Sequence, residues 1–168
     1  MSTDPPQTLR FLPVGLNVRG KRCLVVGGGG VGSRKVLTLA RAGADVTVVS
    51  PSVGEELAEL AAAGRICWLK ESFQPAHLQR AFLVVAATDD EALNARIVRL
   101  ALPQSPLVCD ASSAGRSEVI FGALLSHGNA TVAVFTDGRD PAEARRTRDR
   151  IAKLLGRRSE GEDSPARE

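Results

Sequence analysis

Aromatic residues are scarce in this chain of 168 residues, which has no tyrosine, one tryptophan and five phenylalanines. Proteins that bind single-stranded nucleic acid stack the bases on aromatic side chains. The formal net charge of +3 is also modest. We therefore expect no nucleic-acid partner, although a basic helix near the C-terminus keeps DNA binding as a weaker alternative.

Cysteine and histidine are also few. Cys23, Cys67 and Cys109 lie far apart and form no C-x-x-C pair, a distribution typical of buried thiols in a reducing compartment. His77 and His127 have no partner at the spacing of metal ligands. The sequence thus favours a protein that holds no metal of its own.

Long hydrophobic runs are missing. No apolar stretch approaches the roughly 20 residues that cross a bilayer. The N-terminal residues do not show a basic segment followed by an apolar one, as a secretory signal would. We expect no membrane association and a cytoplasmic location.

Glycine, in contrast, is concentrated at one place. Residues 23–35 read CLVVGGGGVGSRK, an apolar strand that leads through a glycine cluster into a helix-like segment. The cluster matches G-x-G-x-x-G, whose glycines allow a tight turn and leave room for a pyrophosphate at a helix N-terminus. A plain tight turn is the alternative. The predicted cofactor-binding residues here are Gly27, Gly29, Gly30, Val31 and Gly32.

Strands and helices alternate along the first two thirds of the chain. The predicted strands cover 23–26, 45–50, 65–69, 82–86 and 106–110. The predicted helices cover 33–42, 55–63 and 90–101, with a helical turn at 76–79. This alternation predicts an α/β fold with a Rossmann-like parallel sheet, here assigned to a dinucleotide-binding domain of residues 1–113.

The pattern changes after Ser113. Residues 118–125 and 131–136 predict a β-hairpin, because turn residues separate two apolar β-rich runs. Asp140 and Pro141 then predict the start of a helix, as N-cap and first helical residue. We assign residues 114–156 to a second region of hairpin and basic helix, and residues 157–168 to a disordered polar tail.

The order of these motifs resembles one family. FLPVGLNVRGKRCLVVGGGGVGSRK is followed by VAATDD, Asn94, VCDASS, the hairpin, and TDGRDP before an arginine-rich helix. The stretch 10–155 is similar to precorrin-2 dehydrogenase, the module that also forms the N-terminal part of siroheme synthases. The resemblance includes an early lead-in strand around LPV-L.

That resemblance implies an oxidoreductase of siroheme and cobalamin (porphyrin-type tetrapyrrole) biosynthesis. It would use NAD⁺ to oxidise precorrin-2 to sirohydrochlorin, and some relatives also insert Fe²⁺. It further implies a homodimer to which the hairpin region contributes.

The rest of the cofactor site is predicted at two strand ends. An acidic residue usually binds the adenosine ribose after the second strand, but this chain has Ser50, Pro51 and Ser52 there. We assign ribose contacts to these three residues. Thr88 follows the fourth strand and is assigned to the ribose or nicotinamide side. Asp89 and Asp90 are interpreted as capping the next helix.

The catalytic residues are predicted after the fifth strand. In the resembling family an aspartate often stands there and handles protons. Alignment from the hairpin backwards places that aspartate near Ser113. In the segment 109–113 of this chain, however, the acidic residue is Asp110. Asp110 and Ser113 are therefore the candidate catalytic residues, and this departure leaves metal insertion more open than dehydrogenation.

A polycarboxylate substrate requires a positively charged site. Between residues 139 and 158 the chain has eight basic and three acidic residues. Arginine suits the bidentate capture of carboxylates. Arg116 and Arg139 are the predicted substrate-binding residues because both lie in loops, with a solvated surface as the alternative for each.

A different class of function stays open. The chain ends in a short polar tail where relatives continue into a helical segment, so another chain covers the site or the site is more open. The short tail and the absence of an aspartate near position 113 leave an alternative function. The chain would then be a non-catalytic family member that binds NAD or tetrapyrrole as a sensor or carrier.

Overall fold

The computed structural model describes residues 9–105 and 107–156. They form two compact units, one of residues Val14–Ile120 and one that joins residues up to Pro13 with residues from Phe121 onward. The boundary lies seven residues later than the one drawn from the sequence, because Glu118 and Val119 donate backbone hydrogen bonds to Val108 in the sheet. The predicted tail at 157–168 lies outside the described residues.

The larger unit contains a five-stranded parallel sheet in the order β3-β2-β1-β4-β5. Its strands are β1 Arg22–Val26, β2 Asp45–Val49, β3 Cys67–Leu69, β4 Leu83–Ala86 and β5 Leu107–Asp110. Its helices are α1 Gly30–Arg41, α2 Glu55–Ala62 and α3 Glu91–Ala101, with 3₁₀ turns at Pro75–Leu78 and Ala114–Arg116. The predicted Rossmann-like architecture is confirmed.

The core lies between the central strands and the helices that cover them. Val25, Val84 and Val85 are fully buried, as expected for a parallel sheet that is covered on both faces. The buried face of α3 is formed by Asn94, Ile97, Val98 and Ala101. Leu93 and Leu100 lie at the margin of this face and are partly buried.

The strand order reverses between β1 and β4. The chain moves outward from β1 through β2 to β3 and then crosses to β4 on the other side of β1. Loops that leave the carboxyl ends of β1 and β4 therefore diverge and leave a crevice at that edge of the sheet. This topological switch point is where open α/β sheets bind ligands.

Two local expectations differ from the structure. Residues 12–18, which include the expected lead-in strand, have no regular secondary structure. Cys67 is exposed, since it lies on the edge strand β3, whereas Cys23 and Cys109 are buried as expected. Burial raises the pKa of both buried thiols to about 11, so neither is a reactive thiolate at neutral pH.

The smaller unit contains the antiparallel hairpin of β6 (Ala123–His127) and β7 (Ala130–Val134) and the helix α4 (Pro141–Leu154). The first strand starts at Ala123, later than predicted. Asp140 caps α4 as predicted, since its Oδ1 accepts hydrogen bonds of 2.9 Å from the amides of Ala142 and Glu143. None of the helices in the described part of the chain is long and apolar enough to cross a membrane.

Candidate active site

Two adjoining cavities form a crevice at the carboxyl edge of the sheet. The larger, of about 650 Å³, lies beyond the ends of β1 and β2. The smaller, of about 290 Å³, lies beyond the ends of β1, β4 and β5. Gly29, Ala87, Thr88 and Asp89 line both. The crevice thus runs across the switch point.

The three glycines of the motif have distinct roles. Gly27 has a φ of +111°, and a Cβ there would overlap the carbonyl of Ala87. A Cβ at Gly32 would overlap the carbonyl oxygen of Gly27, so α1 can approach β1 only because this position has no side chain. A Cβ at Gly29 would meet no protein atom within 4 Å. Gly29 therefore leaves space in the crevice itself, where a pyrophosphate requires close backbone approach.

The start of α1 supplies the electrostatics of this position. Gly29 is its N-cap, no side chain caps the helix start, and its first turn carries no acidic residue. The first amides of a helix have no partner within the helix and carry its positive dipole end. Gly30 and Val31 follow Gly29 and line the smaller cavity. The backbone present at this position therefore fits the pyrophosphate of a dinucleotide.

The loop after β2 is held by Ser50. Its hydroxyl accepts a hydrogen bond from the Gly28 amide (3.1 Å) and donates one to the Ser52 carbonyl (2.6 Å). Ser50 is also 92% buried, since only 8% of it is exposed. The hydroxyl that the sequence assigned to the ribose thus already has a donor and an acceptor within the protein. Pro51 and Ser52 are exposed and line the larger cavity.

The larger cavity has apolar walls. They include Val26, Val49, Phe73 and Leu93, and Asp89 is the one charged residue among the described residues that line it. Sequence reasoning missed Phe73, a single phenylalanine in an irregular loop, where no periodicity marks it. Its ring lies 6.1 Å from that of His77, whose Nε2 lies 3.0 Å from Glu71 Oε1. An apolar slot next to a pyrophosphate position suits an adenine ring.

Thr88 and Ser112 face the smaller cavity from two different strand ends. Asn94, on α3, contacts both: its Oδ1 accepts the Thr88 hydroxyl (2.7 Å) and its Nδ2 donates to Ser112 Oγ (3.3 Å). The sequence placed Asn94 in a motif but gave it no role, because only the folded loops bring Thr88 and Ser112 together.

Asp110 ends β5 and forms an ion pair with Arg116. The Asp110 side chain is fully buried, and Arg116 donates its Nε–H to Oδ2 over 2.6 Å. Ser112 donates its amide (2.9 Å) and its hydroxyl (2.6 Å) to Oδ1. Burial alone would raise the pKa of Asp110, but the hydrogen bonds from Ser112 and Arg116 outweigh it and hold that pKa below 3.8. Arg116 also pairs with the exposed Glu91 (3.0 Å).

The predicted catalytic residues therefore do not line the smaller cavity. Asp110 contacts Ser112, which lines the smaller cavity, but neither Asp110 nor Ser113 does so. Ser113 precedes the second 3₁₀ turn, where its carbonyl accepts the hydroxyl of Ser117 (3.0 Å). In residues 9–105 and 107–156, no three histidine, cysteine, aspartate or glutamate side chains cluster as metal ligands would.

Arg139 belongs to the smaller unit. It lies in the loop before α4, its side chain is 76% exposed, and its Nη2 lies 3.6 Å from Asp137. Asp137 is fixed by the backbone amide of Phe11, which donates to its carboxylate over 2.9 Å. Arg139 therefore extends into solvent from an anchored loop.

Comparison with known proteins agrees with this site. A family model described as "Putative NAD(P)-binding" matches residues 14–123, which include the glycine loop and every strand of the sheet. The chain is 40% identical over 147 residues to a siroheme synthase of Nitrosococcus oceani and 38% identical to one of Actinobacillus succinogenes. Each match covers 88% of this chain, which spans 31% of the length of these relatives.

A solved structure extends the comparison. The structure of "SirC, precorrin-2 dehydrogenase" superposes with a TM-score of 0.76 at 31% identity, covering 86% of this chain and 71% of that chain. The likeness therefore extends over most of this chain. The chain therefore belongs to the precorrin-2 dehydrogenase family of NAD(P)-binding proteins.

Proposed function

We propose that this chain is an NAD-dependent oxidoreductase that dehydrogenates precorrin-2 to sirohydrochlorin in siroheme and cobalamin biosynthesis, in the cytoplasm. The observation that carries the proposal is the crevice at the switch point. Gly29, at the N-terminus of α1, lies on one side of it, and Ser112, which is hydrogen-bonded to the Asp110–Arg116 pair, lies on the other.

Bound NAD⁺ supplies the hydride acceptor. In this proposal, Gly29, Gly30 and Val31 bind its pyrophosphate, and the apolar slot that contains Phe73 takes the adenine. The smaller cavity, between Thr88 and Ser112, then receives the nicotinamide. Precorrin-2 would lose a hydride to the cofactor and a proton to a base or to water.

Arg116 and Arg139 would bind carboxylates of the substrate. Arg116 keeps a fixed orientation because Asp110 and Glu91 both accept hydrogen bonds from it. Asp110, with its lowered pKa, would stay ionised and hold Arg116 in place. Ser113 is the other candidate for guiding the released proton. We further propose that the region 114–156 contributes to a homodimer.

The test is turnover of purified protein with precorrin-2 and NAD⁺. We expect NADH absorbance to rise together with the sirohydrochlorin spectrum. Folded protein that forms no NADH from intact precorrin-2 would contradict the proposal. Fe²⁺ or Co²⁺ added after dehydrogenation then measures metal insertion separately.

A binding protein without turnover is the second candidate. The observation in its favour is that both carboxylate oxygens of Asp110 already accept hydrogen bonds within the protein. Calorimetry that detects binding of NAD⁺ and sirohydrochlorin, with no NADH formed from precorrin-2, would favour this sensor or carrier role.

A further inference from the structure

Asn94 is an unusual residue for its position. It lies on the core-facing side of α3 with Ile97, Val98 and Ala101, and none of its surface is exposed. Asparagine has a low helix propensity, and burying an amide costs free energy unless the amide is hydrogen-bonded. An apolar side chain would be the default there, so the amide needs a separate explanation.

The hydrogen bonds of Asn94 use its whole capacity. Its Oδ1 accepts from the Thr88 amide (3.0 Å) and the Thr88 hydroxyl (2.7 Å). Its Nδ2 donates to the Thr88 carbonyl (3.0 Å) and to Ser112 Oγ (3.3 Å). A side-chain amide has two acceptor lone pairs and two N–H groups, so all four are occupied. Three of the four bonds hold Thr88, and the fourth crosses to the loop after β5.

This crossing bond joins the two sides of the smaller cavity. Thr88 follows β4 and Ser112 follows β5, and both line the space. Ser112 in turn donates to Asp110, which accepts from Arg116. The Ala111 amide also donates to the Ala86 carbonyl (2.8 Å). Beyond that backbone bond, the Asn94 side chain connects Thr88 to Ser112 and, through Ser112, to the Asp110–Arg116 ion pair.

We propose that Asn94 is a positioning residue for hydride transfer: it fixes the distance between the Thr88 and Ser112 loops and hence the seat of the nicotinamide. This rests on the proposed function. The four Asn94 hydrogen bonds do not include Gly29, Gly30 or Val31 at the pyrophosphate position, nor Phe73 in the adenine slot; they reach the larger cavity only through Thr88, at its junction with the smaller one. Loss of Asn94 should therefore slow hydride transfer far more than it weakens dinucleotide binding.

The test uses Asn94→Asp, which is isosteric and keeps the Oδ1 acceptor for the amide and hydroxyl of Thr88 but can donate neither to Ser112 nor to the Thr88 carbonyl. Asn94→Ala is the second variant, in case the buried carboxylate prevents folding. Ser105→Ala is the matched control: Ser105 is also a buried polar residue (1% exposed), and its hydroxyl donates to the Phe82 carbonyl (3.1 Å) before β4, away from the crevice.

Three quantities are measured for each folded variant: the Kd for NAD⁺ by calorimetry, single-turnover hydride transfer, and hydrogen–deuterium exchange at 111–113 without cofactor. We expect the Asn94 variants to change the Kd by less than about threefold and to slow hydride transfer by about 100-fold, because small misplacements of reacting groups cost this much. Exchange at 111–113 should rise. Ser105→Ala should change none of these.

Equal losses of NAD⁺ affinity and hydride transfer would overturn the inference, as would unchanged exchange at 111–113. NADH formation by the wild-type protein distinguishes a failure of this inference from a failure of the proposed function. If wild-type protein forms no NADH, the dehydrogenase assignment fails, whereas exchange and NAD⁺ binding still decide whether Asn94 positions the two loops.

Discussion

Arg116 donates its Nε–H to Oδ2 of Asp110 over 2.6 Å, and the aspartate side chain is fully buried while the arginine is one-third exposed. The buried carboxylate is thus neutralised by a group that also reaches solvent. Removing one partner of such a pair leaves a buried charge without compensation. The relationship makes the stability of the sheet edge depend on pH.

Arg116→Gln tests that dependence. The folded-state pKa of Asp110 is lowered, so Asp110 stabilises the fold above its unfolded pKa of about 3.9, and this stabilisation is lost as the pH falls through the folded value. We expect the variant to be less stable than the wild type at neutral pH, the difference to shrink as the pH falls below about 4, and to vanish only below the folded-state pKa of Asp110.

Urea unfolding between neutral and acidic pH measures this difference. Arg99→Gln, which removes an exposed arginine from α3, is the control for loss of charge. A stability difference of the same size at every pH would contradict the assigned ion pair.

Gly29→Asp tests the pyrophosphate position. The added Cβ meets no protein atom within 4 Å, so the fold should tolerate it, while a carboxylate at this place repels a phosphate. We expect NAD⁺ affinity to fall by about 100-fold or more. Gly15→Asp is the matched control, because a Cβ there also meets nothing within 4 Å and Gly15 lines neither cavity. Calorimetry that finds unchanged affinity in Gly29→Asp would place the cofactor elsewhere.

Gly32→Ala, unlike Gly29→Asp, should destabilise the fold. Replacing glycine by alanine inside a helix normally stabilises it by about 1 kcal/mol. Here the Cβ would overlap the Gly27 carbonyl oxygen, a backbone atom that cannot rotate away. We expect a net loss of about 1–3 kcal/mol in the free energy of unfolding, as for other overpacked sites. Denaturant titration beside Gly29→Ala checks this, and a stabilised Gly32→Ala would refute the close approach of α1 to β1.

The sequence predicted the sheet and the glycine loop because both are local in origin. Apolar β-branched runs such as 45–49 select strands, and G-x-G-x-x-G needs no partner elsewhere in the chain. The burial of Asn94 on the core face of α3 could not be predicted in this way, because its amide is satisfied by Thr88 and Ser112, which reach it only in the folded protein.

The site was predicted less completely because its contacts cross between loops. Ser50 follows β2 as expected, yet its hydroxyl binds Gly28 and Ser52. Arg116 was chosen because it lies in a loop, but its guanidinium is paired with Asp110 and Glu91. Spacing along a chain does not reveal such pairs.

Phe73→Ala tests the adenine slot. Phe73 lines the larger cavity, and stacking of a base on an aromatic ring contributes about 1–3 kcal/mol. We expect the Kd for NAD⁺ to rise by about tenfold, which corresponds to about 1.4 kcal/mol. Phe73→Leu keeps the apolar wall without the flat ring and should give a smaller loss. Calorimetry with both variants checks the order, and equal affinity in Phe73→Ala and the wild type would remove adenine from this slot.

Arg139→Gln tests the substrate assignment. Arg139 is exposed beside the anchored Asp137, so its loss should leave the fold and the NAD⁺ site unchanged. If it binds a carboxylate of precorrin-2, KM for that substrate should rise by about threefold to tenfold, the effect of one exposed charge-assisted hydrogen bond. Because screening weakens exposed charge pairs, the ratio of variant to wild-type KM should shrink as salt increases. Steady-state rates at low and high salt measure this, with Arg99→Gln as the control. A KM that changes equally in Arg139→Gln and Arg99→Gln would show that overall charge, rather than Arg139 itself, attracts the substrate.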